Sequence, residues 1–240
     1  MENPGPTPNR PSVSFSVLLV ALSSYILFVP FVGSFGAKLG FIAVLVVGLV
    51  VARETAVVFR LALTIVGLIL VSKLIDLVLT GSYSESNRIV DSILATGYLF
   101  FLVIMLLRSV ARSHGSSLNT VLGGINVYLL MAIAFMTLHS LVEKIDPGSY
   151  MTQGVPISEY VAAEVPDLVE EAHRARVVFL YFSFTTLTTL GYGDIVPAQP
   201  VSQILCGVEA VIGQLYVAIF IGGLVALHVS TVQERIRARG

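Results

Sequence analysis

Residues 186–194 read TLTTLGYGD, and the run that leads into them, VVFLYFSFTTLTTL at 177–190, is apolar and aromatic. A helix needs about 20 mostly apolar residues to cross the hydrocarbon core of a bilayer. The run at 177–190 is too short for that, so a re-entrant half-helix is its expected form. Non-helical backbone at membrane depth is tolerated only where it is buried in protein or lines a water-filled path. Gly191 and Gly193 flank Tyr192, and glycine admits backbone conformations closed to residues with a Cβ. Successive carbonyls of the segment are therefore free to point to one side.

The rest of the chain has the composition of a membrane protein. Of its 240 residues 55% are hydrophobic and 12% charged, and its mean hydropathy is +0.89. An ordinary soluble domain carries about 25% charged residues. The arithmetic excludes a soluble enzyme, a secreted disulfide scaffold and a disordered regulator. A net charge of −1 without a basic block gives nucleic-acid binding no support. The single cysteine, Cys206, rules out an internal disulfide and any Cys-built metal site, and its apolar surroundings suit a buried, inert thiol. His114, His139, His173 and His228 are scattered, and neither HExxH nor GxSxG occurs, so no enzyme is expected and no cofactor.

Six apolar runs are expected to span the membrane: Val13–Val32, roughly Ala37–Ala52, Leu61–Leu79, about Arg88–Leu107, about Val121–Val142, and about Val201–Ser230. The first is too long in its apolar core, and too poor in basic residues before it, for a cleavable signal peptide. With six spans the termini share a side. That side collects Arg10, Arg53, Arg60, Arg108, Arg112, Arg235, Arg237 and Arg239 against only Glu2, Glu54 and Glu234. The positive-inside rule places both termini in the cytoplasm. The connection from Glu143 onward, with Asp146, Glu159, Glu164, Asp167, Glu170 and Glu171, then faces outward as a solvated cap or an electrostatic funnel for cations.

A ring of carbonyl oxygens replaces the hydration shell of a passing cation. The Thr189 hydroxyl adds an oxygen at the inner end, and neutral dipoles suit a monovalent ion that has to bind and then leave. At this point Thr189-Leu190-Gly191-Tyr192-Gly193, followed by Asp194, resembles the selectivity filter of tetrameric potassium channels, with leucine in place of the commoner valine. The resemblance covers roughly residues 121–233. It implies an all-α membrane protein of six transmembrane helices and one re-entrant loop, assembled as a homotetramer in a bacterial-type plasma membrane. K+ would be held at Thr189, Leu190, Gly191 and Tyr192, with Thr185, Thr188, Asp194 and Glu209 supporting the filter. The other contacts would be with membrane lipid; no nucleic acid or soluble partner is expected.

The chain then divides into a tail (1–12), a peripheral four-helix unit (13–112), a pore unit (113–233) and a short basic tail (231–240). Within the pore unit the acidic connection is expected at 143–175, the pore helix and filter at 176–194, and the inner helix at 201–230. By resemblance Gly213 is a candidate hinge of the inner helix, although close helix packing also explains a small residue in a membrane. Helical spacing puts Gln214, Val217 and Ile221 on one face, which the resemblance assigns to the inner cavity. Glu209, the acid inside this span, is expected to point behind the filter. There it is either satisfied by hydroxyls such as Ser183 or Thr185 or acts as a protonatable regulator. The fourth span has no charge from Ser92 to Leu107, whereas steep voltage sensing needs about 3–4 gating charges per subunit. Intrinsic voltage sensing is therefore expected to be weak or absent. Lys73 with Asp76, and Arg88 with Asp91, are expected to satisfy one another near the outer interface.

Overall fold

The computed structural model describes residues 15–33, 36, 39–44, 46, 60, 63–68, 71, 85–112, 118–164 and 168–237. Its main helices are α1 (Phe15–Phe28), α2 (Glu85–Ala111), α3 (Leu118–Ile145), α4 (Ile157–Glu164), α5 (Leu168–Leu187) and α6 (Pro200–Arg237). Three short strands, β1 (Tyr150–Thr152), β2 (Val155–Pro156) and β3 (Ile195–Pro197), sit between them. Among the described residues three helical segments are long and apolar enough to cross a membrane: Ile89–Ala111, Thr120–Ile145 and Pro200–Phe220. Most of the runs expected at 37–52 and 61–79 lies outside the described residues, and so do Lys73, Asp76 and the Arg88 side chain. Asp91 is buried on α2.

Helix α3 is the central post, with α1, α2, α5 and α6 all packed against it. Its sequence allows this because apolar side chains cover nearly its whole circumference, the pattern of a helix buried on all sides. Val127, Leu130, Met131, Ala134 and Phe135 are all buried on it. Helix α2 presents Tyr98, Leu102 and Leu106, four residues apart and hence on one face, and all three are buried. Across this contact the rings of Phe100 and Phe135 meet edge to face at 5.3 Å. Helix α6 differs sharply. Only 11% of its apolar window is buried, against 67% for α3.

The connection after α3 is built rather than loose, which corrects the purely helical expectation. Gln153 and Gly154 have φ of 51° and 82°, the two positive values of a two-residue primed hairpin turn. The turn pairs Thr152 with Val155 and Met151 with Pro156. On its other edge β1 pairs antiparallel with β3, Tyr150 opposite Pro197 and Thr152 opposite Ile195. The chain leaving the GYGD segment is thereby fastened to the cap at the end of α3. Pro200 then opens α6 at a position that needs no N–H. The Ser202 hydroxyl accepts from the Gln199 N–H at 3.2 Å and lies 2.7 Å from the Ser149 carbonyl.

Glu143, only 4% exposed, organises this cap. Its Oε1 accepts from the Gly148 and Ser158 N–H groups at 3.1 and 3.2 Å, and its Oε2 from the Tyr150 N–H at 3.0 Å. One carboxylate thus satisfies the turn after α3, the first residue of β1 and the start of α4. Removing it strands three donors, each worth about 1 kcal/mol or more. The Glu143→Ala variant should lower the thermal midpoint of the detergent-purified protein by roughly 6–12 °C.

Beyond the cap, His173 is buried at the start of α5. Burial holds its imidazole below the ordinary value of 6.5; Glu170 opposes the shift, while Arg176 and Arg174 add to it. The folded chain therefore prefers the neutral ring. Its contribution to stability is intact above pH 6.5 and is lost as the pH falls below that value and the unfolded chain takes up the proton. Melting curves between pH 7.5 and 5 should show this loss, and His173→Gln should flatten it.

Candidate functional site

Helix α5 is longer than the half-helix expected at 177–190, starting at Leu168 and ending at Leu187. How it ends sets everything that follows. The Thr189 N–H donates to the Thr186 carbonyl at 2.9 Å and the Leu190 N–H to the Thr185 carbonyl at 2.8 Å. This pair of bonds is the Schellman stop, which requires a left-handed residue and usually finds glycine there. Here the residue is Thr189, with φ of 57°. A β-branched side chain in that region is strained, and such strain is kept where the surrounding structure over-determines it.

The pattern then repeats. Gly191 has φ of 52° and Gly193 of 78°, while Leu190 and Tyr192 between them keep negative values. Alternation of positive and negative φ of this kind lets successive peptide planes turn the same way, N–H groups to one side and carbonyls to the other. The inner N–H groups are spent on α5: the Thr185 carbonyl accepts from Gly191 at 3.1 Å as well as from Leu190. At the outer end Tyr181 donates to Asp194 Oδ2 at 2.7 Å, and Asp194 Oδ1 accepts from the Ile195 N–H at 3.1 Å. The rings of Tyr181 and Tyr192 lie nearly parallel, 6.5 Å between centroids. The whole stretch 188–194 is exposed on the single chain.

The residues expected to support the segment have these partners. Thr188 donates to the Phe184 carbonyl, and buried Thr185 to the Phe182 carbonyl. Glu209 is fully buried and accepts from Ser183 at 2.6 Å. Of the two hydroxyls expected near it, Ser183 is the one that reaches it. Its other oxygen faces His139 Nε2 at 2.7 Å, a partner that sequence reasoning passed over when it grouped His139 with the scattered histidines. The available signal was that the fifth and sixth spans each carry one such polar group in apolar surroundings. Tyr181, Glu143 and Tyr150 gave no comparable signal.

Gly213 lies in unbroken helix, since α6 extends from Pro200 to Arg237 and so exceeds the 201–230 expected. A Cβ on Gly213 would overlap the Leu187 carbonyl oxygen, so the end of α5 rests directly on α6 there. Gln214 points to the exposed side and donates to Thr189 Oγ1 at 3.0 Å, while that hydroxyl donates to the Thr188 carbonyl at 2.7 Å. Val217 is exposed too, and the Ile221 side chain lies outside what is described. Below this level Tyr216 donates to the Gly124 carbonyl at 2.7 Å and stacks between Tyr128 and Phe220, tying α6 to α3.

Residues 150–229 match a protein family described as ion channel. The match begins at β1, contains α5 and the 188–194 segment, and ends within α6. No curated protein and no solved structure matches the chain. The chain is thus mostly helical, with three described helices long and apolar enough to cross a membrane, and one third of its length is similar to an ion-channel family.

Overpacking a tight contact costs about 1–3 kcal/mol. The Gly213→Ala variant should accordingly displace the end of α5 and lower the thermal midpoint of the detergent-purified protein. Gly97→Ala on α2, where an added Cβ meets open space, should leave it unchanged.

Proposed function

We propose that this chain is one subunit of a potassium-selective channel. In this reading four copies bring residues 189–193 around a common axis, and K+ passes passively along their carbonyls. The observation that carries it is the alternation of φ sign through Thr189, Gly191 and Gly193, which frees a row of neutral oxygens to take the place of hydrating water. Exposure supports the assembly. Backbone that lies at membrane depth without helical bonding needs a protein or water surround, and on one subunit 188–194 is left exposed. Helix α6 exposes Val201, Ile204, Val208 and Val211, whose spacing puts them on one helical face, an apolar face ready to meet neighbouring copies. Lipid covers the remaining apolar surface.

The negative end of the α5 dipole adds an attraction for cations below the segment. Gln214, Val217 and Ile221 line the cavity there, and Gly213 serves as the point about which α6 bends during gating. Opening is not strongly voltage-dependent, because α2 has no charged residue from Ser92 to Leu107. Both termini lie in the cytoplasm. A weakly selective monovalent cation channel of the same architecture is the second reading, favoured by one contact. Gln214 occupies the Thr189 hydroxyl, taking an oxygen away from the innermost ion position.

Bilayer recordings of the purified protein in mixed K+ and Na+ test both. Wild type should reverse near the K+ equilibrium potential; reversal near zero would favour the second reading. Gly191→Ala places a Cβ where φ is positive and should abolish current or discrimination, while Lys73→Ala should preserve both. Unaltered K+ currents through the Gly191 variant would sink the filter assignment.

A further inference from the structure

One buried cluster is unlike the apolar core around it. Tyr150 of β1, His139 of α3, Ser183 of α5 and Glu209 of α6 are each 0% exposed, and they form a chain of hydrogen bonds. The Tyr150 hydroxyl lies 2.6 Å from His139 Nδ1, His139 Nε2 lies 2.7 Å from Glu209 Oε2, and Ser183 Oγ lies 2.6 Å from Glu209 Oε1. A carboxylate only accepts, so Nε2 is the donor to it and Nδ1 accepts from Tyr150. Ser183 Oγ is also 2.9 Å from the Ala132 carbonyl of α3. The His139 ring is held edge to face by Tyr150 at 5.3 Å and Phe182 at 5.1 Å.

Ionisable groups at membrane depth are expensive, and apolar side chains of similar volume often replace a buried polar pair at no loss of stability. What the polar version adds is direction: a fully satisfied buried network fixes distances and angles where apolar contacts slide. The four residues come from four different elements, and they converge on one turn of α5. Ser183 stands two residues before Thr185, whose carbonyl holds the N–H groups of Leu190 and Gly191. We infer that His139 and Glu209 are positioning residues for the 188–194 segment, acting through Ser183 to hold the end of α5 at the height where its carbonyls face the ion. The inference rests on the filter reading above. It assigns ion discrimination, rather than assembly, to this network.

The test compares K+ to Na+ permeability ratios of the full-length protein in bilayers, with particle mass measured for every variant. Ser183→Ala and Glu209→Leu should each lower the ratio by about fivefold or more, and the double variant should be no worse than Glu209→Leu alone, as for residues in one network. Glu209→Gln keeps an oxygen for Ser183 and offers its amide to His139 in the other tautomer, so it should stay within about twofold of wild type. Particle mass should be unchanged throughout. Ratios unaltered in Ser183→Ala and Glu209→Leu, beside a Gly191→Ala variant that has lost discrimination, would overturn the positioning role alone. Multiplying effects in the double variant would do the same. An unaltered Gly191→Ala variant would remove the filter reading and this inference with it. Should Glu209→Leu fail to assemble, Ser183→Ala decides, since it removes only a hydroxyl from a helix: an unaltered ratio overturns the proposal.

Discussion

A peptide stretch that is to offer its carbonyls to an ion, as proposed for residues 189–193, has to dispose of its N–H groups elsewhere. That constraint shapes most of this molecule. The end of α5 meets it by spending the Thr185 and Thr186 carbonyls on the first N–H groups of the segment. The cost is a β-branched residue, Thr189, held in a left-handed conformation that glycine would adopt without strain. A glycine there would end the helix as well, but it would carry no hydroxyl for Gln214 to meet. Local stability and the oxygen at that position pull in opposite directions, and the sequence keeps the oxygen.

Holding such a segment still requires anchors at both ends. Inside, Leu187 rests on Gly213, and the Tyr128 hydroxyl approaches the Leu187 carbonyl at 3.3 Å. Outside, Asp194 is tied to Tyr181, and β3 is laddered onto β1. Glu143 and Glu209 then serve as two buried hubs, one for the cap after α3 and one for the seam between α3, α5 and α6. In each case a carboxylate accepts several donors that apolar contacts would leave unpaired, the condition under which a buried charge is tolerated.

Much of this was legible from residue order, for identifiable reasons. Apolar runs mark α2, α3 and α6 because burial and lipid both demand them, and the Gly-Tyr-Gly spacing marks the segment because positive φ selects glycine. The Glu209 environment was half legible. Its position one turn before Gly213 indicates a side facing away from the expected cavity, and Ser183 is a reachable hydroxyl. His139 was not legible, since it lies seventy residues away in sequence and contact across two helices leaves no mark on spacing. The connection after α3 misled for a related reason. Its acidic composition reads as solvated loop, while a hairpin turn at Gln153-Gly154 and a strand pairing with residues 195–197 give it order.

Sequence alone pointed to a membrane setting and to the segment proposed as the filter, because hydropathy and glycine placement are local properties of the chain. Only the tertiary structure decided that α5 begins at Leu168, that α6 passes straight through Gly213, and that Glu209 is shared between Ser183 and His139. Those outcomes depend on which elements come to lie side by side, and non-local packing of that kind is written nowhere in the order of neighbouring residues.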